Sequence, residues 1–311
     1  MTIRKFDVAS WLDSPLSRRR IDLTRFGDER AAVAAICADV MARGDDALRV
    51  LGKRFDGWAP ATGEGFEVPQ AEVKAAVGRL DPNDRGALEF AAARIRDFHQ
   101  RQLEPDSVGS PGLKLLTRPV RRAGVYAPGG RAAYPSTVLM TVIPARVAGV
   151  DEVVLATPPR SDGSVPSSIL AAAHMAGVDA VYRVGGAQAI AAFAYGTASI
   201  PRVDVVAGPG NIYVTLAKKE VFGSVGVDGI AGPTEVVVLA DAQARPDFVA
   251  ADLAAQLEHD PLAWGVLITD SSKLADRVEE ELGDLVRGLE RAEIIRAATC
   301  CLIVADDMEQ A

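Results

Sequence analysis

Between residues 124 and 240 the chain repeats one device four times: a short apolar run enters a glycine loop, and polar residues follow. The loops are Pro128-Gly129-Gly130-Arg131, Gly185-Gly186-Ala187-Gln188, Gly208-Pro209-Gly210-Asn211 and Gly232-Pro233-Thr234-Glu235. Short strands that alternate with helical patterns need crossover connections, which means a parallel sheet. Glycines at strand ends let backbone N–H groups approach a ligand closely, and the ligand crevice of such sheets lies at those ends. The pattern therefore restricts the chain to an α/β fold and points to a site for a sizeable polar ligand.

The rest of the chain can support such a fold. Its 311 residues suffice for two domains or one large one, and 49% of them are hydrophobic. Forty-two acidic residues against 34 basic ones give a net charge of −8, which argues against a nucleic-acid or anionic-membrane partner. Arg4, Lys5 and Asp7 have no apolar segment behind them, so no signal peptide is expected. No apolar run reaches the length of a membrane span either. The cysteines, Cys37, Cys300 and Cys301, form no CxxC and no even set. Buried reduced thiols and a cytoplasmic location are the expectation.

Residues 1–24 read as a polar arm that includes the run Arg18-Arg19-Arg20, a solvated face rather than an anion site. Residues 28–102 read as helical: Val33, Ile36, Cys37 and Val40 keep 3.6-residue spacing, and Asp81-Pro82-Asn83-Asp84 stops one helix and starts another. From residue 118 the period changes. Strands are expected near 124–127, 152–156, 179–184, 203–207, 235–240, 264–269 and 299–305, with helices between them. Ser136 is expected to cap a helix over 137–148 that Pro144 interrupts, and one long helix is expected over 272–291. The fold class is therefore α/β with two parallel-sheet domains, one inserted into the other. The expected boundaries are an arm at 1–24, a discontinuous domain of 25–128 plus 235–311, and an inserted domain of 129–234.

Several side chains near the loops carry chemistry. Gln188 and Asn211 each open a helix after a glycine loop, where an amide can bond a ligand while helix N–H groups favour anions. Asn211 is equally a plain helix cap, whereas glutamine is not a favoured one. Neither loop is a GxGxxG. Tyr126 either faces a ligand ring or is a core tyrosine with a satisfied hydroxyl. Gln256 and His259 are spaced i,i+3 after Val249 and Leu253, which predicts an inward-facing amide and imidazole. Such a pair suits a metal or a hydrogen-bonded helix end. The Thr234 hydroxyl at a strand entrance suits a substrate or a local backbone bond. His99 and His174 lack ligand-spaced neighbours and are read as structural.

Together these motifs resemble the histidinol dehydrogenase family. The resemblance rests on Val125-Tyr126-Ala127-Pro128-Gly129-Gly130-Arg131 with Tyr134-Pro135-Ser136, on Gly185-Gly186-Ala187-Gln188, and on Gly208-Pro209-Gly210-Asn211. Ala231-Gly232-Pro233-Thr234-Glu235 and Gln256-Leu257-Glu258-His259-Asp260 continue it in order. It implies an NAD- and zinc-dependent oxidation of L-histidinol to L-histidine through the aldehyde, by a homodimer with two Rossmann-like domains. It also implies that Tyr126, Gln188 and Asn211 contact NAD, and that Thr234 contacts substrate at a position where serine is usual. Gln256 and His259 would bind zinc and substrate.

The same resemblance places the family's catalytic Glu-His pair, an Asp zinc ligand and a last His zinc ligand beyond residue 311. The expectation is thus a chain with half of the zinc ligands, weak zinc binding, and no catalytic pair of its own. Two other readings accompany the first. One is a related zinc- and NAD-dependent dehydrogenase for another polar alcohol, such as a sulfonated diol. The other is a non-catalytic NAD-binding or dimerising protein.

Overall fold

The structure, a computed structural model, describes residues 3–18, 25–108, 112–129, 133–231 and 234–311. Gly130, Arg131, Gly232, Pro233, Arg19 and Arg20 lie outside the described residues. The chain divides into two compact units, Met1–Arg25 with Ala231–Ala311, and Phe26–Ile230.

The first unit opens with β1 (Ile3–Asp7) and α1 (Val8–Asp13). The second unit begins with α2 (Gly27–Arg43), α3 (Asp45–Phe55), α4 (Gln70–Ala75), a 3-10 turn at Val77–Arg79, and α5 (Pro82–Gln100). Its helices form where caps and periodicity agree. The Asp81 carboxylate accepts from the Asn83 N–H at 2.8 Å, and Pro82 opens α5 where no backbone donor is needed. A small antiparallel pair follows, β2 (Ser107–Val108) and β3 (Lys114–Leu115).

Alternation then takes over: β4 (Arg122–Tyr126), α6 (Pro135–Val147), β5 (Glu152–Thr157), α7 (Ser167–Ala176) and β6 (Ala180–Arg183). Next come α8 (Gly186–Tyr195), β7 (Val205–Ala207), α9 (Ile212–Val221) and β8 (Gly226–Val227). These five strands form one sheet in the order β6-β5-β4-β7-β8, every pairing parallel. Counted from β4, the order is 3-2-1-4-5, that of a dinucleotide-binding sheet. Its direction reverses between β4 and β7, so their carboxyl ends flank the topological switch point. Residues 66–68 extend the β6 edge: Arg183 N–H donates to Phe66 O at 2.9 Å, and Val68 N–H to Val181 O at 2.8 Å.

The first unit resumes with β9 (Glu235–Leu239), α10 (Pro246–Leu257), β10 (Trp264–Thr269), α11 (Ser272–Arg287), α12 (Ala292–Ala297) and β11 (Thr299–Val304). Its sheet, β1-β11-β10-β9, is also parallel throughout. The helices bury Leu253, Leu257, Val278, Leu282 and Ile295 against one face. Phe6, Val8, Trp11 and Leu16 cover Trp264, Val266, Cys301 and Ile303 on the other. Apolar burial on both faces is what a parallel sheet requires. Cys37, Cys300 and Cys301 are free and buried. Burial pushes Cys37 and Cys300 up to about 12, so neither is a thiolate near neutral pH.

Insertion of one α/β unit into another is as expected, but the division differs. Residues 26–128 belong with 129–230, because β4 lies between β5 and β7 and α2 packs on α8 and α9. The boundary expected near 128 is instead a loop inside the inserted unit. The expected arm is also corrected: Ile3–Asp7 pairs with β11 as an edge strand. Tyr134 rather than Ser136 precedes the first turn of α6, which Pro135 opens. The long helix expected over 272–291 ends at Arg287, and α12 follows separately.

Candidate functional site

Three of the sequence-predicted residues lie around the carboxyl ends of the inserted sheet. Tyr126 ends β4 and is 4% exposed. Gly186 N–H donates to its phenolic oxygen at 3.0 Å, tying the first strand to the loop that opens α8. Burial, with the nearby Asp56 charge, pushes the phenol up to about 12, so it keeps its proton. Among the described residues no acceptor takes that proton. Tyr126 is thus both a core tyrosine and a free donor at the switch point.

Gln188 lies in the first turn of α8 and is 2% exposed. Among the described residues its amide makes no hydrogen bond. Its amide atoms are not among the fully enclosed, unpartnered polar atoms of the described residues, so they keep contact with solvent and are open to a ligand. Asn211 is exposed and caps α9: its Oδ1 accepts from the Tyr213 N–H at 3.1 Å and the Val214 N–H at 3.2 Å. Its amide nitrogen remains to donate. The helix-cap reading of Asn211 therefore holds, with one polar atom left over.

The loop before Asn211 is held by two residues that the sequence reading missed. Gly208 has φ +124°, and a Cβ there would lie 2.1 Å from Tyr126 O, so the loop presses on the end of β4 as only glycine can. Asp228, just past β8, accepts from the Gly208 N–H at 2.8 Å and the Gly229 N–H at 2.8 Å. Lys218, 6% exposed on α9, donates to Gly208 O and to Asp228 Oδ1, each at 2.5 Å. Both polar groups of Gly208 are thereby fixed by one ion pair. The available sequence signal was a lysine four residues after Val214, on the buried stripe of α9.

The other three predicted residues lie in the first unit, near the amino ends of β9 and β10. Thr234 precedes β9, and Trp264 N–H donates to its carbonyl at 3.1 Å. Gln256 Nε2 donates to Thr234 Oγ1 at 2.6 Å. That bond fixes the amide plane and leaves Gln256 Oε1 as a free acceptor. His259 is exposed, and it lies beyond α10, its N–H returning to Gln256 O at 3.2 Å. The inward-facing imidazole is therefore corrected: α10 ends at Leu257, and the following turn carries His259 out. Imidazole nitrogen is a usual zinc donor and amide oxygen an uncommon one, so these two residues fit part of a metal site. Among the described residues no cluster of three or more His, Cys, Asp or Glu completes it.

A 3-2-1-4-5 parallel sheet with glycine loops and side-chain amides at its switch point defines the dinucleotide-binding class of α/β proteins. A family model described as histidinol dehydrogenase matches residues 19–311. A histidinol dehydrogenase of Parasynechococcus marenigrum is 50% identical over 299 residues, which span 94% of this chain and 68% of the relative. One from Methanothermobacter thermautotrophicus is 48% identical over 300 residues, 95% of this chain and 69% of the relative. The crystal structure of histidinol dehydrogenase from Elizabethkingia anophelis superposes with a TM-score of 0.84 at 31% identity, covering 99% of this chain and 72% of that one. The chain belongs to the histidinol dehydrogenase family, NAD-dependent oxidoreductases that act on an alcohol in histidine biosynthesis. These names favour that reading over a sulfonated-diol dehydrogenase. The chain spans about two thirds of the length of these relatives.

Proposed function

We propose that the inserted unit holds NAD and that Thr234, Gln256 and His259 belong to the zinc and L-histidinol site of a histidinol dehydrogenase. The observation that carries this reading is Gln188, a nearly buried residue whose amide still reaches solvent and has no protein partner among the described residues, at the switch point of a dinucleotide-type sheet. NAD, when bound, would supply the hydride acceptor, one molecule for each of the two oxidations that take an alcohol to an acid. A zinc ion, when bound, polarises the substrate oxygen.

The chain's own residues position these groups. Tyr126 O–H and Asn211 Nδ2 are donors without protein acceptors among the described residues, and Gln188 offers both a donor and an acceptor. Thr234 holds the Gln256 amide so that Oε1 is presented, and His259, three residues on, presents an exposed imidazole. A homodimer in the cytoplasm completes the reading. It is supported by the family resemblance and by three reduced, buried thiols. No helix among the described residues is long and apolar enough to cross a membrane.

The test is an NAD titration by calorimetry, followed by NADH formation on addition of L-histidinol. Saturable NAD binding that Gln188→Leu weakens by more than about tenfold is expected. NADH formation with L-histidinol but not with a sulfonated diol would fix the substrate. A chain that does not bind NAD would overturn the reading.

A further inference from the structure

Helix α3 ends at Phe55, and its C-cap, Asp56, reaches the carboxyl ends of the inserted sheet. The Gly185 N–H faces the carboxylate. A Cβ placed on Gly185 would lie 3.0 Å from Asp56 Oδ1 and 2.6 Å from Pro158 Cβ. Gly185 follows β6, Pro158 follows β5, and the Asp56 charge is felt at the Tyr126 phenol that ends β4. The carboxylate therefore lies by the ends of three adjacent strands, on the β4-β5-β6 side of the switch point. In a doubly wound sheet this is where a carboxylate meets the ribose of a dinucleotide.

The seat is rigid. The Arg183 guanidinium lies 4.6 Å from the centre of the Trp58 ring, two residues beyond Asp56, and its Nη2 donates to Glu67 O at 3.1 Å. Residues 66–68 are in turn bonded to β6. Among the described residues no cation pairs with Asp56. Its environment raises the carboxyl to about 6, so it is mostly charged at neutral pH yet poorly compensated. A half-buried carboxylate facing one N–H has room for further donors, and a ribose supplies two hydroxyls. A phosphate in the same place would meet like charge.

We propose that Asp56 is a cofactor-selectivity residue: its carboxylate accepts from the ribose hydroxyls of NAD and repels the 2′-phosphate of NADP. This rests on the cofactor reading above and deepens it by naming the residue and the part of the ligand it reads.

The test compares dissociation constants for NAD and NADP, by calorimetry, on the 311-residue chain and on Asp56→Asn. Asparagine keeps an acceptor for Gly185, and a melting curve verifies that the variant is folded. The parent is expected to prefer NAD, and the variant to lose roughly tenfold in NAD affinity, the worth of a charge-assisted bond. NADP affinity should hold or rise, so the selectivity ratio falls at least that far. Equal weakening of both cofactors, or an unchanged ratio, overturns the inference while leaving the NAD site intact. A parent that binds no NAD overturns the cofactor reading and this inference together.

Discussion

Gln256 Nε2 donates to Thr234 Oγ1 at 2.6 Å, joining two residues 22 positions apart at the amino end of a parallel sheet. The hydroxyl orients an amide whose oxygen is the atom suited to a metal. Partners that orient a ligand in this way are worth about 10–100-fold in metal affinity. Zinc should bind this chain more weakly than micromolar, since the two donors found among the described residues leave the ion largely hydrated. Thr234→Val should weaken it further by about tenfold, while Thr234→Ser should match the parent. Competition against a chromophoric chelator measures all three, and sub-micromolar zinc binding by the parent would contradict the expectation.

Gln188 separates binding from stability. Its amide is unpaired among the described residues yet keeps contact with solvent, so Gln188→Leu removes a ligand-facing polar group from a nearly buried side chain of similar volume. The variant should be as stable as the parent to within about 1 kcal/mol. NAD affinity should nevertheless fall more than about tenfold, because a ligand amide or hydroxyl loses its partner. Urea unfolding and an NAD titration on one preparation decide it. A variant that both unfolds earlier and binds NAD normally would make Gln188 a structural residue.

Lys218 and Asp228 should behave as a unit. Removing one partner of a buried ion pair is strongly destabilising because it strands the other. Asp228 has 41% of its side chain exposed, so Lys218→Met should cost about 2 kcal/mol rather than the larger penalty of a fully buried pair. The double variant with Asp228→Asn should be more stable than the sum of the single changes. NAD affinity should fall in each variant, since the Gly208 peptide loses bonds that hold it against β4. Additive stabilities in a double-mutant cycle would refute the coupling.

The alternation of strands and helices was legible because both periods are local, and the switch-point loops were legible because glycine marks them. What depends on pairing was not. Nothing near residue 128 says that β4 lies between β5 and β7, so a glycine loop inside one unit resembled a boundary. Ile3–Asp7 is too short and too charged to announce an edge strand, yet β11 has an open side for it. Extrapolating the buried stripe of α10 past Leu257 put His259 inside, whereas the chain turns there and exposes it. Lys218 finds Asp228 only once β7 and β8 are side by side. Asp56 meets Gly185 across 129 residues, a contact that no local pattern encodes.

The titration of Asp56 gives a stability signature independent of any ligand. Burial is the main cause of its raised proton affinity, and the Gly185 N–H opposes it only in part. The folded carboxyl titrates near 6 against 3.8 for the free group, so the folded state holds the proton more tightly than the unfolded one. The stabilising term is fully present below pH 3.8 and fades as pH rises through 6. Asp56→Asn stays neutral throughout and lacks this dependence. Its stability relative to the parent should therefore increase from about pH 4 to pH 6 and then level off. The size is modest, because the group remains partly exposed and solvent screens it. Urea midpoints of parent and variant across that range test it. A difference that is flat with pH, or that grows on acidification, would show that the charged form of Asp56 is not disfavoured by folding.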